Sequence, residues 1–431
     1  QVLQSNPDQP VALHLLGVIA LQSGYPDKAE KLIDRALAIR PNYVEACMNL
    51  GAVLREQGRL DECLALYHKA LDLHPEFAPA HHNIGLVYQK KGQLEDAIRH
   101  LKRALAKVPD QAVAHNDLGL ALFQSGKSEE AIISFRDAVR LQPEFADAHN
   151  NLGIVYTRSG NFDQAIDCCR RAVEINQGFA ESHSNLSVAL LKSGRPDEAV
   201  AHHDRAVTLN PDFIEAYVNF GAALQEVGDE ESALRCYQRG LTLDPDCIEA
   251  HNNLGNLQRE RGRLDKAVVH YRRALDLKAD FAEAHSNLGL ALQDMGLLEA
   301  AVESHRTALV YRPGFAQAHN NLGRAYQELG RLGEAIAAYR AAIRILPDYA
   351  EAYGNLGLVL QKQGKHDEAM DQCSRALEIR PNYPEARYAL GSALLRMGEY
   401  EEGLRNAMSG KGVIEFQDDP GPNYAILGRG Q

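Results

Sequence analysis

Glycine returns in this chain with a strict period. Gly17, Gly51, Gly85, Gly119, Gly153, Gly221, Gly255, Gly289, Gly323, Gly357 and Gly391 are separated by 34 residues or by twice that, and Ser187 fills the one gap. Twelve repeats therefore follow one another with no insertion or deletion. A fixed period of this length implies one supersecondary element copied end to end, each copy burying its apolar face against the next rather than around a single closed core.

Other positions keep the same phase. A second glycine stands seven residues after this anchor in all twelve repeats, from Gly24 to Gly398. It marks the end of a first helix in a left-handed residue, where a side chain would cost about 1 kcal/mol. Twelve residues after the anchor comes alanine in ten repeats, with Cys63 and Gly403 as exceptions, and nineteen after it alanine again in ten. Small residues on both helices let them pack at the near end of the usual interaxial range. Proline follows twenty-four after the anchor, from Pro41 to Pro381, broken only by Gln177 and Ala279, and stops the second helix. Two residues later an aromatic such as Tyr43, Phe77 or Phe145 staples the chain's entry into the next repeat. Each repeat reads as helix, glycine turn, helix, proline stop, and β-sheet is nowhere indicated.

Against this background the phrase HNNLG, at His149–Gly153, His251–Gly255 and His319–Gly323, is costly, because asparagine and glycine are poor helix formers. The residue two before the anchor is Asn49, Asn83, Asn151, Asn185, Asn219, Asn253, Asn287, Asn321 and Asn355, with Asp117 in the remaining internal repeat and Leu15 and Ala389 at the ends. A carboxamide offers a donor and an acceptor, as does an extended peptide main chain. One such group per repeat on the inner surface would clamp a main chain whatever its sequence, each bond contributing about 0.5–1.5 kcal/mol. The alternative is that the asparagines bond to the neighbouring repeat and set the pitch of the array. A second polar row, Asn116, Asn150, Asn252 and Asn320 with Ser184 and Ser286, lies one residue earlier. Gln89, Gln225, Gln293, Gln327 and Gln361 lie four after the anchor on much the same face.

Composition narrows the partners. A net charge of −12 over 431 residues disfavours nucleic acid and anionic membrane surfaces, which need clustered Lys and Arg. No apolar run approaches the roughly 20 residues that span a bilayer. Seven cysteines without a C-x-x-C pair or a zinc-ligand spacing suggest a reducing, cytoplasmic setting. His81, His115, His149, His183, His251, His285 and His319, four before the anchor, read as packing residues, and His202-His203 and Cys168-Cys169 as packing or solvent-exposed residues of the second helix. The SGKG at Ser409–Gly412 lacks the residues of a complete phosphate loop. Glu260 beside Arg261 and Arg263 reads as a solvated charged face. No nucleophile–base arrangement, metal site or cofactor site stands out, so the expectation is a non-enzyme without a cofactor.

The 34-residue period, the Leu-Gly pair, the mid-repeat glycine, the two alanines and the closing proline together resemble the tetratricopeptide repeat, from Pro10 to about Gly410. The chain departs from the common pattern four before the anchor, where the family often has Trp and this chain has His, Tyr217 or Tyr353. The resemblance implies an all-α solenoid of about twelve helix-turn-helix repeats, wound as a right-handed superhelix that binds proteins as extended or disordered segments. Repeats reading AHNNLG or AHSNLG resemble in particular those of O-linked N-acetylglucosamine transferases, in which an asparagine row holds the main chain of protein substrates. Carried over, this makes Asn49, Asn83, Asn151, Asn185, Asn219, Asn253, Asn287, Asn321 and Asn355 peptide-binding residues, with Asp117 the irregular member. The catalytic region of that family has no counterpart here. The basic clamp by which other repeats of the family hold carboxylate-ended tails is missing too, since Lys never stands three before the anchor. The expected organisation is a remnant or cap of a preceding repeat over 1–9, twelve repeats over 10–410 and a non-repeat tail over 411–431. The expected function is a protein-binding scaffold, with two alternatives: the substrate-recognition region of a larger glycosyltransferase, or a self-assembling homo-oligomer.

Overall fold

The computed structural model describes residues 7–410; the expected remnant around Val2 and Leu3 and the 411–431 tail lie outside the described residues. The described chain is helical throughout, in twelve pairs that begin with α1 (Pro10–Gln22) and α2 (Pro26–Ile39) and end with α23 (Pro384–Met397) and α24 (Tyr400–Gly410). Each repeat supplies one first helix, such as α5 (Ala78–Lys90), and one second helix, such as α6 (Leu94–Lys107).

The two glycines of a repeat act for opposite reasons. Those seven after the anchor all have positive φ, between 68° at Gly262 and 90° at Gly398, and nothing lies within 4 Å of where a Cβ would sit. Only backbone conformation demands glycine there, and the turn is closed by bonds such as Arg59 N–H to the Leu54 carbonyl at 2.9 Å. The anchor glycines are ordinary helical residues with no space around them. A Cβ on Gly51 would lie 2.4 Å from Cε1 of Tyr67, and one on Gly323 would lie 2.6 Å from Cε1 of Tyr339. The residue sixteen after the anchor fills that gap: Tyr67, Tyr237, Tyr271, Tyr339 and Phe135 are among the largest fully buried side chains of the protein. Each such ring removed from water contributes about 1.5–3 kcal/mol, which offsets the glycine's poor helix propensity.

By its contacts the chain divides into two compact bodies, residues 1–223 and 224–431, with the boundary inside the helix Ile214–Glu226. Within each body first helices pack on the second helices of their own repeats, and several first helices of successive repeats also touch one another. The first helices therefore form the inner layer of each body, which is where the positions around the anchor lie.

Candidate functional site

Six of the nine asparagines two before the anchor are bound to the preceding repeat. Nδ2 of Asn151 donates to Oδ1 of Asn116 at 2.9 Å, Asn185 to Asn150 at 2.9 Å, Asn287 to Asn252 at 3.0 Å and Asn355 to Asn320 at 3.0 Å. Asn321 donates to Oγ of Ser286 at 3.4 Å, and Asn49 to Nε2 of His14 at 2.6 Å. In every case the partner lies 35 residues earlier, on the first helix of the repeat before. Asp117 reverses the polarity: it can only accept, and Nε2 of His82 donates to its Oδ2 at 2.7 Å. The inter-repeat bonding expected as the alternative to peptide binding is thus present in the fold.

The two polar rows play different parts. The earlier row is buried, with Asn116 and Asn150 at 6% exposure, Ser286 at 3% and Asn320 at 0%. Asn150 is used twice, because Oγ of Ser182 also donates to its Oδ1, at 3.1 Å. The later row is only half-buried at Asn49, Asn83, Asp117, Asn151, Asn185, Asn253, Asn287, Asn321 and Asn355, and exposed at Asn219. Where the earlier residue has no polar group the bond fails: Met48 stands 35 before Asn83, whose Oδ1 instead accepts a long bond, 3.4 Å, from Nη1 of Arg55. Asn219 and Asn253 have no side-chain partner among the described residues. In the bonded asparagines the donor is tied down, while no donor among the described residues meets Oδ1 of Asn151, Asn185, Asn287 or Asn355. A fixed carboxamide with a solvent-facing carbonyl is a preorganised acceptor.

The glutamines four after the anchor extend this bonding. Nε2 of Gln89 donates to Oε1 of Gln124 at 3.0 Å and Nε2 of Gln225 to Oε2 of Glu260 at 2.6 Å, while Gln293 bonds Glu328. Glu260 is therefore engaged by a glutamine rather than by its arginine neighbours; Arg261 pairs with Glu230 at 2.8 Å and Glu231 at 3.0 Å. Some of these glutamines also accept from the buried tyrosine sixteen after the anchor, Tyr237 to Gln225 at 3.0 Å and Tyr339 to Gln327 at 3.1 Å.

The seven phased histidines do more than fill space. Nε2 of each lies 2.9–3.4 Å from a loop carbonyl six residues earlier, that of Pro75 for His81, Pro109 for His115, Pro143 for His149 and Gln177 for His183. His251, His285 and His319 meet Pro245, Ala279 and Pro313 in the same way. A ring that donates from Nε2 offers Nδ1 as an acceptor, and three of them use it. His100, His202 and His270 place Nδ1 at 3.1, 2.9 and 3.1 Å from Nδ1 of His81, His183 and His251. Burial lowers the pKa of His81, His183, His202 and His270, and burial with the nearby His81 takes His100 down to about 4. Burial thus favours the neutral ring at His81, His100, His183, His202 and His270, and the seven phased histidines serve as hydrogen-bonded posts for the loops.

Among the described residues no group of three His, Cys, Asp or Glu is arranged to hold a metal. Burial raises the thiols, Cys168 and Cys236 to about 11 and Cys373 to about 12, which leaves them protonated and poorly nucleophilic. A shallow depression of about 480 Å³, lined by Ala337, Arg340, Ile343, Arg344, Leu356 and Gln372, contains no residue of the asparagine row. No helix of the described chain is long and apolar enough to cross a membrane.

Family models described as tetratricopeptide repeats match residues 12–43, 44–106, 82–144, 146–179, 190–257, 255–296, 323–364, 350–383 and 373–405. No curated protein matches the sequence significantly. Among solved structures, MamA is 28% identical with a TM-score of 0.36, covering 39% of this chain and 92% of its own. YrrB, described as a TPR protein with an unusual peptide-binding site, is 23% identical with a TM-score of 0.37, over 43% of this chain and 95% of its own. Yeast Tom70 is 16% identical with a TM-score of 0.48, over 94% and 92%. With its family matches, its unbroken 34-residue phase and its helix pairs, the chain is a tetratricopeptide-repeat protein, an all-α solenoid.

Proposed function

We propose that this protein is a binding scaffold whose first-helix face holds extended segments of partner proteins, with Asn49, Asn83, Asn151, Asn185, Asn219, Asn253, Asn287, Asn321 and Asn355 gripping the main chain. One observation carries the reading: at Asn151, Asn185, Asn287 and Asn355 a half-buried carboxamide has its amide bonded to the repeat before, and its carbonyl meets no donor among the described residues. Those carbonyls accept from peptide N–H groups, and little is lost on binding because their orientation is fixed in advance. Each bond is weak, so affinity comes from several acting together. Asp117, held by His82, supplies a carboxylate in the same series and accepts likewise.

The test separates grip from architecture. Asn219 and Asn253 have no structural bond to lose. Asn219→Ala and Asn253→Ala, made separately in the two bodies, should each weaken a peptide held on the same body several-fold at unchanged helix content, as one lost bond implies. Unchanged affinity for a peptide that cross-links map to the first helices would refute the reading. The AHNNLG repeats also support a second reading, in which this array selects substrates for a glycosyltransferase. A catalytic region in the same polypeptide is the observation that decides it.

A further inference from the structure

In the N-terminal body the asparagine row has two companions on the same helical face. Three residues after Asn83, Asp117, Asn151 and Asn185 stand Leu86, Leu120, Ile154 and Val188, all half-buried although aliphatic. Four residues further come Lys90, Gln124, Arg158 and Lys192. Spacings of three and four keep all these positions on one side of the helix. Two contacts show that successive first helices meet along this side: Gln89 to Gln124, and the guanidinium of Arg158, 4.8 Å over the Phe123 ring of the repeat before.

The charges are out of keeping with the rest of the molecule. The protein is net acidic and many of its cations sit in ion pairs, yet Lys90 and Arg158 are exposed with no carboxylate partner among the described residues. In the next four repeats the equivalent positions are Glu226, Glu260, Asp294 and Glu328, each the last residue of its helix, while Glu56 precedes the basic group and Lys362 and Arg396 follow the acidic one. A carboxylate there opposes the helix dipole, so the change from basic to acidic ends between these two groups of repeats is not explained by helix stability. Resting on the peptide-binding reading above, we propose that the four repeats from Asn83 to Lys192 take extended segments that alternate aliphatic and acidic side chains. The asparagine row holds the main chain, Leu86, Leu120, Ile154 and Val188 cover the aliphatic side chains, and Lys90 and Arg158 meet the carboxylates.

The experiment uses end-blocked fluorescent peptides of about twelve residues, long enough to lie across several repeats. One alternates Leu and Glu, one Leu and Lys, one Ser and Glu. Anisotropy with the full chain should show the Leu/Glu peptide bound at least about tenfold more tightly than the others, and weakened several-fold as salt rises from about 0.05 to 0.5 M. Lys90→Glu with Arg158→Glu should cost that peptide about tenfold, as should Leu120→Ser with Ile154→Ser, whereas Asp294→Lys with Glu328→Lys should not weaken it. Circular dichroism checks that each variant keeps its helix content. Equal or tighter binding of the Leu/Lys peptide, or indifference to the Lys90 and Arg158 changes, overturns the inference. If such a peptide still depends on Asn83, shown by Asn83→Ala, the main-chain reading survives without it. If none of the three binds, the inference is overturned, and the asparagine row is then judged by the Asn219 and Asn253 variants.

Discussion

Asn287 donates its carboxamide to Oδ1 of Asn252 at 3.0 Å, and Asn252 is 8% exposed. Two asparagines 35 residues apart thus divide the work, one buried as an acceptor and the other half-exposed as a donor. Removing the donor leaves a buried carbonyl unsatisfied, at a cost of about 1–3 kcal/mol. Asn287→Ala should therefore destabilise the protein by that amount in urea titrations. Asn219→Ala, which breaks no side-chain bond, should stay within about 0.5 kcal/mol of the parent. Equal costs for the two would contradict the assignment of separate roles.

His305 stands where other repeats place a tyrosine, and neither of its ring nitrogens has a partner. Oε1 of Gln293 in the same repeat is also buried and unpartnered, although Tyr237 and Tyr339 supply a hydroxyl to the equivalent Gln225 and Gln327. His305→Tyr should restore that bond and raise stability by about 1–3 kcal/mol. Differential scanning calorimetry checks it, and a lowered Tm would show that the slot beside Gly289 cannot take the ring.

The two glycine rows predict distinct penalties. Gly330→Ala places a side chain at φ 73° in open space and should cost about 1 kcal/mol from backbone strain alone. Gly323→Ala puts a methyl 2.6 Å from the Tyr339 ring and should cost about 1–3 kcal/mol through displaced packing. Tyr339→Ala should remove most of the second penalty and none of the first, a comparison that a double-mutant cycle measures directly.

Acid should loosen the array, because buried histidines must take up charge as the pH falls. Burial takes His100 and His305 down to about 4 from the ordinary 6.5, and lowers His81, His149, His183, His203 and His319 as well. Between those values the unfolded chain binds more protons than the folded one, so stability rises with pH there. The contribution is complete above about pH 6.5 and lost as pH falls toward 4. Urea midpoints at pH 5 and pH 7 should differ in that direction, and His305→Tyr should shrink the difference. A flat profile would mean that these rings are not held neutral by burial.

Much of this architecture was legible in the amino-acid order. Period, helix pairing, turn glycines and buried alanines all follow from local rules that repeat without interruption, so each of the twelve copies confirms the others. The loop-holding role of the histidines was not legible. Their partner is a main-chain carbonyl six residues away, which has no sequence signature. Nor could the two adjacent asparagine rows be told apart as buried acceptor and half-exposed donor, although the 35-residue offset was present as a pattern. By itself the sequence determined a solenoid with one carboxamide per repeat at a constant phase. Only the tertiary structure decided which atom of that carboxamide is spent on the neighbouring repeat and which remains for a visitor, because hydrogen-bond direction depends on how closely successive first helices approach.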